Sequence, residues 1–178
     1  ALMKNIVATS VTIGDNVEVI EGYAFWDCTK ITKVTLGKKV RVLGNGVFYG
    51  CSALTSATLG SSLEKISYRA FYNCKNLSTI KIPDSVLCIG EEAFANTAYY
   101  NNSSNWQNKV LYIGNHLIRA KNTLSGEYSI KNGTKCIAGN AFYDCTSLTS
   151  IIIPESVTSI GDYAFYDCTS LKYVFYPG

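Results

Sequence analysis

The stretch LTSIIIPESVTSIGDYAFYDCTS, Leu148–Ser170, decides how the chain folds. Its inward set is Leu148, Ile151, Ile153, Val157, Ile160, Ala164, Phe165 and Cys168. Ile151 and Ile153 are two apart, which places both on one face of a strand. Pro154-Glu-Ser makes a corner, and Val157-x-x-Ile160 is a second extended side. Gly161 permits a turn. Ala164 and Cys168 are four apart and share a face, so Ala-Phe-x-x-Cys reads as a short helical turn.

The unit recurs outward from this copy. Ala-Phe stands at Ala24, Ala70, Ala93, Ala141 and Ala164, with Val47-Phe48 filling the gap. The first four sites, counting Val47, are 23 residues apart, and so are the last two. From Ala93 to Ala141 the step is 48, one repeat plus 25. The copy from Leu77 repeats Ile80, Ile82, Pro83, Val86, Ile89, Gly90, Ala93 and Phe94. Looser copies begin at Ala8, Ile31, Leu54 and Ser125. One such unit cannot close a core, whereas stacked units can, because each phase becomes a column of like residues. Strands then pair in parallel at about 4.8 Å per coil. Ala1-Leu2 fall in the Ala-Phe phase, and Leu171, Val174 and Tyr176 open another copy. Solenoids carry polar end caps; neither end reads as one, so a segment of a longer array is expected.

This pattern resembles the BspA-like leucine-rich repeat family. The resemblance covers residues 8–97 and 125–178, and Thr97 for Cys and Val47 for Ala are its departures. It implies a leucine-rich-repeat-like solenoid, a right-handed stack of coils with parallel β-strands and short helical turns, running through residues 1–178 as one domain. It also implies display on a bacterial surface or secretion, with adhesion to host proteins or other cells in some members. The family brings no catalytic residues to carry over.

Composition narrows the function. Charged residues are 16% of 178, against about 25% in an average domain. The net charge of +3 is too small to point to nucleic acid. No apolar run approaches the roughly 18 residues of a membrane span, and no basic-then-apolar leader opens the sequence. A lone His116 leaves little room for histidine metal sites or a Ser-His-Asp set. No nucleophile–base pair, paired carboxylates or phosphate loop stands at a useful spacing. The expectation is a non-catalytic chain with no cofactor and no metal.

Cys28, Cys51, Cys74, Cys145 and Cys168 share one phase. They read as a ladder of buried free thiols, since stacked neighbours sit slightly beyond disulfide reach. Cys88 and Cys136 each precede the second-side isoleucine. If the insertion loops out, these two stack, and they are either bonded to each other or the first to be labelled. The insertion, residues 98–124, opens polar and turn-rich. It continues as two strands, Val110–Ile113 and His116–Ala120, around Gly114-Asn115, where Gly first suits a type II′ hairpin. It reads either as a functional element or as a plug for a stack defect, with His116 at the surface.

Two surfaces are candidates for contact. The outward strand positions carry Lys33, Thr35, Thr58 and Lys81, a solvated threonine-rich face or a flat binding face. The residues after Phe, among them Trp26, Tyr49 and Tyr72, either stack between coils or anchor a ligand. Lys30, Lys33, Lys38, Lys39 and Arg41 form a basic cluster that also protects an edge. The reading is a secreted or surface module that binds a protein or glycan macromolecule. The alternative is a structural spacer or a carbohydrate-binding appendage of a larger secreted protein.

Overall fold

A 23-residue period turns each apolar phase into a ladder. The computed structural model describes residues 7–177, so the Ala1-Leu2 phase lies outside the described residues. Coil one contributes β1 (Ser10–Thr12) and β2 (Val19–Ile20), coil two β3 (Lys33–Thr35) and β4 (Val42–Leu43). Coil three contributes β5 (Ser56–Thr58) and β6 (Lys65–Ile66), and coil four β7 (Cys88–Ile89). The insertion supplies α1 (Ala98–Asn101), a 3-10 turn at Ser103–Asn105, β8 (Trp106–Gln107), β9 (Val110–Ile113) and β10 (His116–Ala120). Coil five carries β11 (Ser125–Ser129) and β12 (Cys136–Ile137), and coil six β13 (Ser147–Ile152) and β14 (Ser159–Ile160). A further turn opens with β15 (Tyr173–Phe175).

The ladders are parallel and their register is the repeat itself: Ser10 faces Lys33, Thr35 faces Thr58 and Val42 faces Lys65. Inward side chains such as Val34, Leu43, Leu54 and Ile66 are fully buried. Phe25, Phe48, Phe71 and Phe94 stack with centroids 5.3, 5.3 and 5.5 Å apart. Phe142 and Phe165 stack as a separate pair at 5.1 Å in the core beyond the hairpin. The first five are buried, and Phe165 is half-buried.

The Ala-Phe-x-x-Cys segments are wound by i→i+3 bonds, as where Trp26 N–H donates to Tyr23 O and Cys28 N–H to Phe25 O. They do not run on as helices, because each coil puts two residues four apart at positive φ. Asp27, Asn73, Asn96, Asp144 and Asp167 hold the second place, where Asn and Asp tolerate the left-handed region best. Tyr23, Arg69, Glu92, Asn140 and Tyr163 hold the first. Charges follow the same repeat. Arg41 pairs with Glu64 at 2.8 Å, Arg69 with Glu92 at 2.6 Å and Lys38 with Asp15 at 3.9 Å, each across 23 positions. The basic cluster is thus partly tied to acids on adjoining coils.

The insertion does not loop out. β10 pairs parallel with β12 and antiparallel with β9, in a sheet ordered β14-β12-β10-β9-β8. At the hairpin tip Gly114 has φ +59°. Leu111, Ile113 and Ile118 pack into the core of coils one to four, while Val110, Leu117 and Ala120 pack into that of coils five and six. The hairpin is therefore a wedge buried on both faces. Coils four and five still touch at one corner, where Gly139 N–H donates to Ile89 O at 2.8 Å. Elsewhere coil five bonds to the hairpin, Lys135 N–H to Asn115 O and Ala138 N–H to Leu117 O. The outer strands form two separate sheets, β1-β3-β5 and β11-β13-β15.

His116 is a correction to the sequence reading: it is fully buried. The hairpin tip packs against coil four, where Asn115 Nδ2 donates to Asp84. His116 Nε2 lies 3.1 Å from Val86 O and Nδ1 3.4 Å from Ile113 O. Burial pushes the imidazole pKa down, against the opposing pull of the two carbonyls and Asp84. The unfolded chain then takes up a proton that the folded chain resists. Stability is expected to be full above about pH 6.5, the ordinary histidine value, and to fall as the pH drops below it. Urea midpoints between pH 7.5 and 5 check this. His116→Gln should flatten the slope, and an unaltered slope removes His116 as its source.

Candidate functional site

None of the seven cysteines is joined in a disulfide. The Cys88–Cys136 disulfide that the sequence left open is not formed, and Cys136 is buried while Cys88 is half-buried. Cys136 has His116 of β10 as its register partner and Cys88 has Lys65 of β6, so the ladders do not pair the two thiols. The ladder thiols do more than fill space. Cys51 Sγ donates to Phe25 O, Cys74 to Phe48 O and Cys168 to Phe142 O, each at 3.1 Å, so each thiol ties one coil to the coil before it. Burial pushes the Cys51 thiol up to about 12 and those of Cys136 and Cys145 to about 11, and Cys74 lies well above its ordinary value. Thiolate is the reactive form. Thiol counting on the native chain is expected to find Cys88 first and Cys168 next, with the other five waiting for denaturant. Fast native labelling of Cys51 or Cys74 would contradict this. In coil four Thr97 replaces the cysteine, and its hydroxyl bonds Phe94 O at 2.8 Å and caps α1 at Tyr100 N–H. That departure is where the chain leaves the repeat to begin the insertion.

The sheet-face candidates come together in part. Lys33 and Thr35 lie on β3 and Thr58 lies on β5, opposite Thr35. Lys33 and Thr58 are exposed, and Thr35 is half-buried. Lys81 is exposed on coil four but lies outside that three-stranded sheet, where the wedge begins. The aromatic candidates stack as the column predicts. Tyr49 and Tyr72 are 5.1 Å apart, Tyr143 and Tyr166 5.7 Å, and Trp26 is half-buried at the head of the row.

Between the two tyrosine stacks the column position of coil four is Ala95. The missing ring leaves a cleft of about 410 Å³ lined by Tyr68, Arg69, Glu91, Tyr100, Arg119 and Tyr143, with Ala95 in its floor. Arg69 lies over both the Tyr68 and Tyr72 rings, at 4.8 and 4.9 Å, and Arg119 lies over Tyr143 at 5.7 Å. Arg119 also donates to the Asn140 carbonyl. Asn140 Nδ2 donates to Glu91 Oε2 at 3.0 Å, and Asn140 Oδ1 is buried with no hydrogen-bond partner. Sequence reasoning missed this cleft. Its signal was the break in the aromatic column at Ala95, next to the insertion. Among the described residues no group of three or more His, Cys, Asp or Glu could hold a metal. No helix there is long and apolar enough to cross a membrane.

Parallel coils repeating every 23 residues around columns of Phe, Ile and Cys define a leucine-rich repeat solenoid. The chain belongs to the BspA type leucine rich repeat family, whose model matches residues 2–125 and 120–178 with six copies. No curated protein matches the sequence. Among solved structures it is similar to the leucine rich repeat protein of T. pallidum, at 25% identity and TM-score 0.54, over 95% of this chain and 70% of that one. It is similar in fold to a leucine-rich repeat protein of Bacteroides ovatus, at 21% identity and TM-score 0.52, over 97% of this chain and 64% of that one.

Proposed function

We propose that this chain is a non-catalytic binding module of a secreted or cell-surface protein, holding a protein partner for adhesion. Membership of the BspA type family supports the class. The observation that carries the site is the β1-β3-β5 face, on which Thr35 lies opposite Thr58 and Lys33 lies between Ser10 and Ser56. A repeat scaffold keeps its inward phase while its outward residues vary, so affinity spreads over several coils.

The test replaces Lys33, Thr35, Thr58 and Lys81 together and measures binding to a panel of purified host matrix proteins. A bound partner should lose at least about tenfold in affinity, the equivalent of about 1.4 kcal/mol, with melting unchanged. Unaltered affinity in a folded variant rejects the sheet face. Turnover of any substrate by the chain rejects the binding-module class.

A further inference from the structure

We infer that Cys88 and Cys136 are an oxidisable pair, which a small-molecule disulfide closes into a covalent staple between coils four and five. This goes beyond the sheet-face reading and does not depend on it.

The two thiols stand outside the cysteine column, at one phase of the second ladder. Coils one to three carry Val19, Val42 and Lys65 at that phase, and coil six carries Ser159. Cysteine occupies it only in coils four and five, the two that flank the insertion. Ile89 and Ile137 are buried next in line, so both cysteines project from the opposite side of their strands.

The backbones are close. Every Cα of β7 lies within 8 Å of every Cα of β12. The Gly139 N–H to Ile89 O bond joins the coils at this corner, and a side chain on Gly139 would meet the Glu91 nitrogen at 3.0 Å. The Cys136 thiol lies against the backbone of Ile89, the residue after Cys88. Disulfides hold their Cα atoms at 4.4–6.8 Å, so closure asks for a shift of about 1 Å at most.

That shift is open to this pair and closed to the column. Cys51 and Cys74 each donate to a carbonyl of the preceding coil, and bonds such as Gly50 N–H to Tyr72 O fix one coil on the next. β7 and β12 share no ladder: β7 pairs with β6, and β12 pairs with β10 and β14. Their strands are free to tilt about the glycine corner.

The two thiols take different parts. Cys88 is half-buried and lines an open hollow of about 460 Å³ with Lys65, Ser159 and Asp162. Its thiolate attacks one sulfur of oxidised glutathione, and one glutathione leaves as thiolate. Cys136 is fully buried and is not reached from solvent. It gives up its proton, its sulfur attacks the Cys88 sulfur, and the second glutathione leaves. The two cysteines lose two electrons and two protons, and one glutathione disulfide becomes two thiols. Thiolate is scarce at Cys136, whose pKa burial raises to about 11, but this second step is intramolecular and gains from proximity.

The test treats the native full chain with a series of oxidised-to-reduced glutathione ratios. Two of the seven thiols are expected to disappear, with no glutathione retained, and non-reducing peptide mapping should join Cys88 to Cys136. Dithiothreitol should restore both. Exchange of the Gly139 amide hydrogen should slow by about tenfold or more in the oxidised chain, as opening of the joint is suppressed, and the urea midpoint should rise. Cys88→Ser should keep all its thiols through the same treatment. Cys136→Ala should instead hold one glutathione on Cys88. The inference is overturned if no thiol is lost in oxidised glutathione alone, or if the unaltered chain stops at a glutathione adduct on Cys88. A bridge to any cysteine of the column also overturns it, as does a Cys88–Cys136 bridge that leaves Gly139 exchange and the urea midpoint unchanged.

Discussion

Phe71→Ala is expected to cost about 3–5 kcal/mol, the range for truncating a buried phenylalanine. Phe71 is fully buried, stacked on Phe48 at 5.3 Å and on Phe94 at 5.5 Å, and its N–H donates to Ala93 O. Removing the ring leaves a hole in the middle of a four-ring column. The coils above and below cannot close it, because the ladders fix their separation. Two aromatic contacts are lost as well, each worth about 0.5–1.5 kcal/mol beyond burial. Equilibrium urea unfolding measures the loss. A change under ~1 kcal/mol would mean that the column does not hold the coils together.

Leu111→Ala and Leu117→Ala should each cost about 2–5 kcal/mol, although both lie in the insertion. Each is fully buried, but they belong to different core clusters, Leu111 to coils one to four and Leu117 to coils five and six. Leu54→Ala, in the regular solenoid and equally buried, is the standard for comparison. If the hairpin is a wedge, the three losses are similar in denaturant melts. Losses below ~1 kcal/mol at both hairpin leucines would make the insertion an appendage lying on the stack.

The solenoid was legible because every coil repeats its environment. Ile66 reads as core partly because Leu43 and Ile89 read as core at the same phase, so errors at one position are corrected by its neighbours in the column. The hairpin breaks the period and had to be read alone. Its strands were found from Gly114-Asn115. Their burial was not, although Val110, Leu111, Ile113, Leu117 and Ile118 lack the polar alternation of a strand with one wet face. His116 was misplaced for the same reason, since a residue next to a turn is exposed only if nothing packs over the turn. The thiol hydrogen bonds needed the carbonyl of the preceding coil, which no side-chain pattern encodes. Of the site candidates, Lys33, Thr35 and Thr58 were brought together by the strand phase. The cleft came from an omission, Ala95 where a ring was due, and only a third dimension shows what an omission leaves room for.

The two core clusters meet at the hairpin, and the outer sheet is divided there. In a stack, ladder bonds run along the long axis, so a pull on the two ends loads the coils in series. Regular joints share that load between two ladders, the phenylalanine column and the thiol bonds. The joint between coils four and five has the glycine corner and the wedge. Under tension it would open first, letting coils one to four and coils five to six separate as two intact blocks tethered by the inserted segment. The insertion would then serve as a mechanical fuse, yielding extension before either block unfolds.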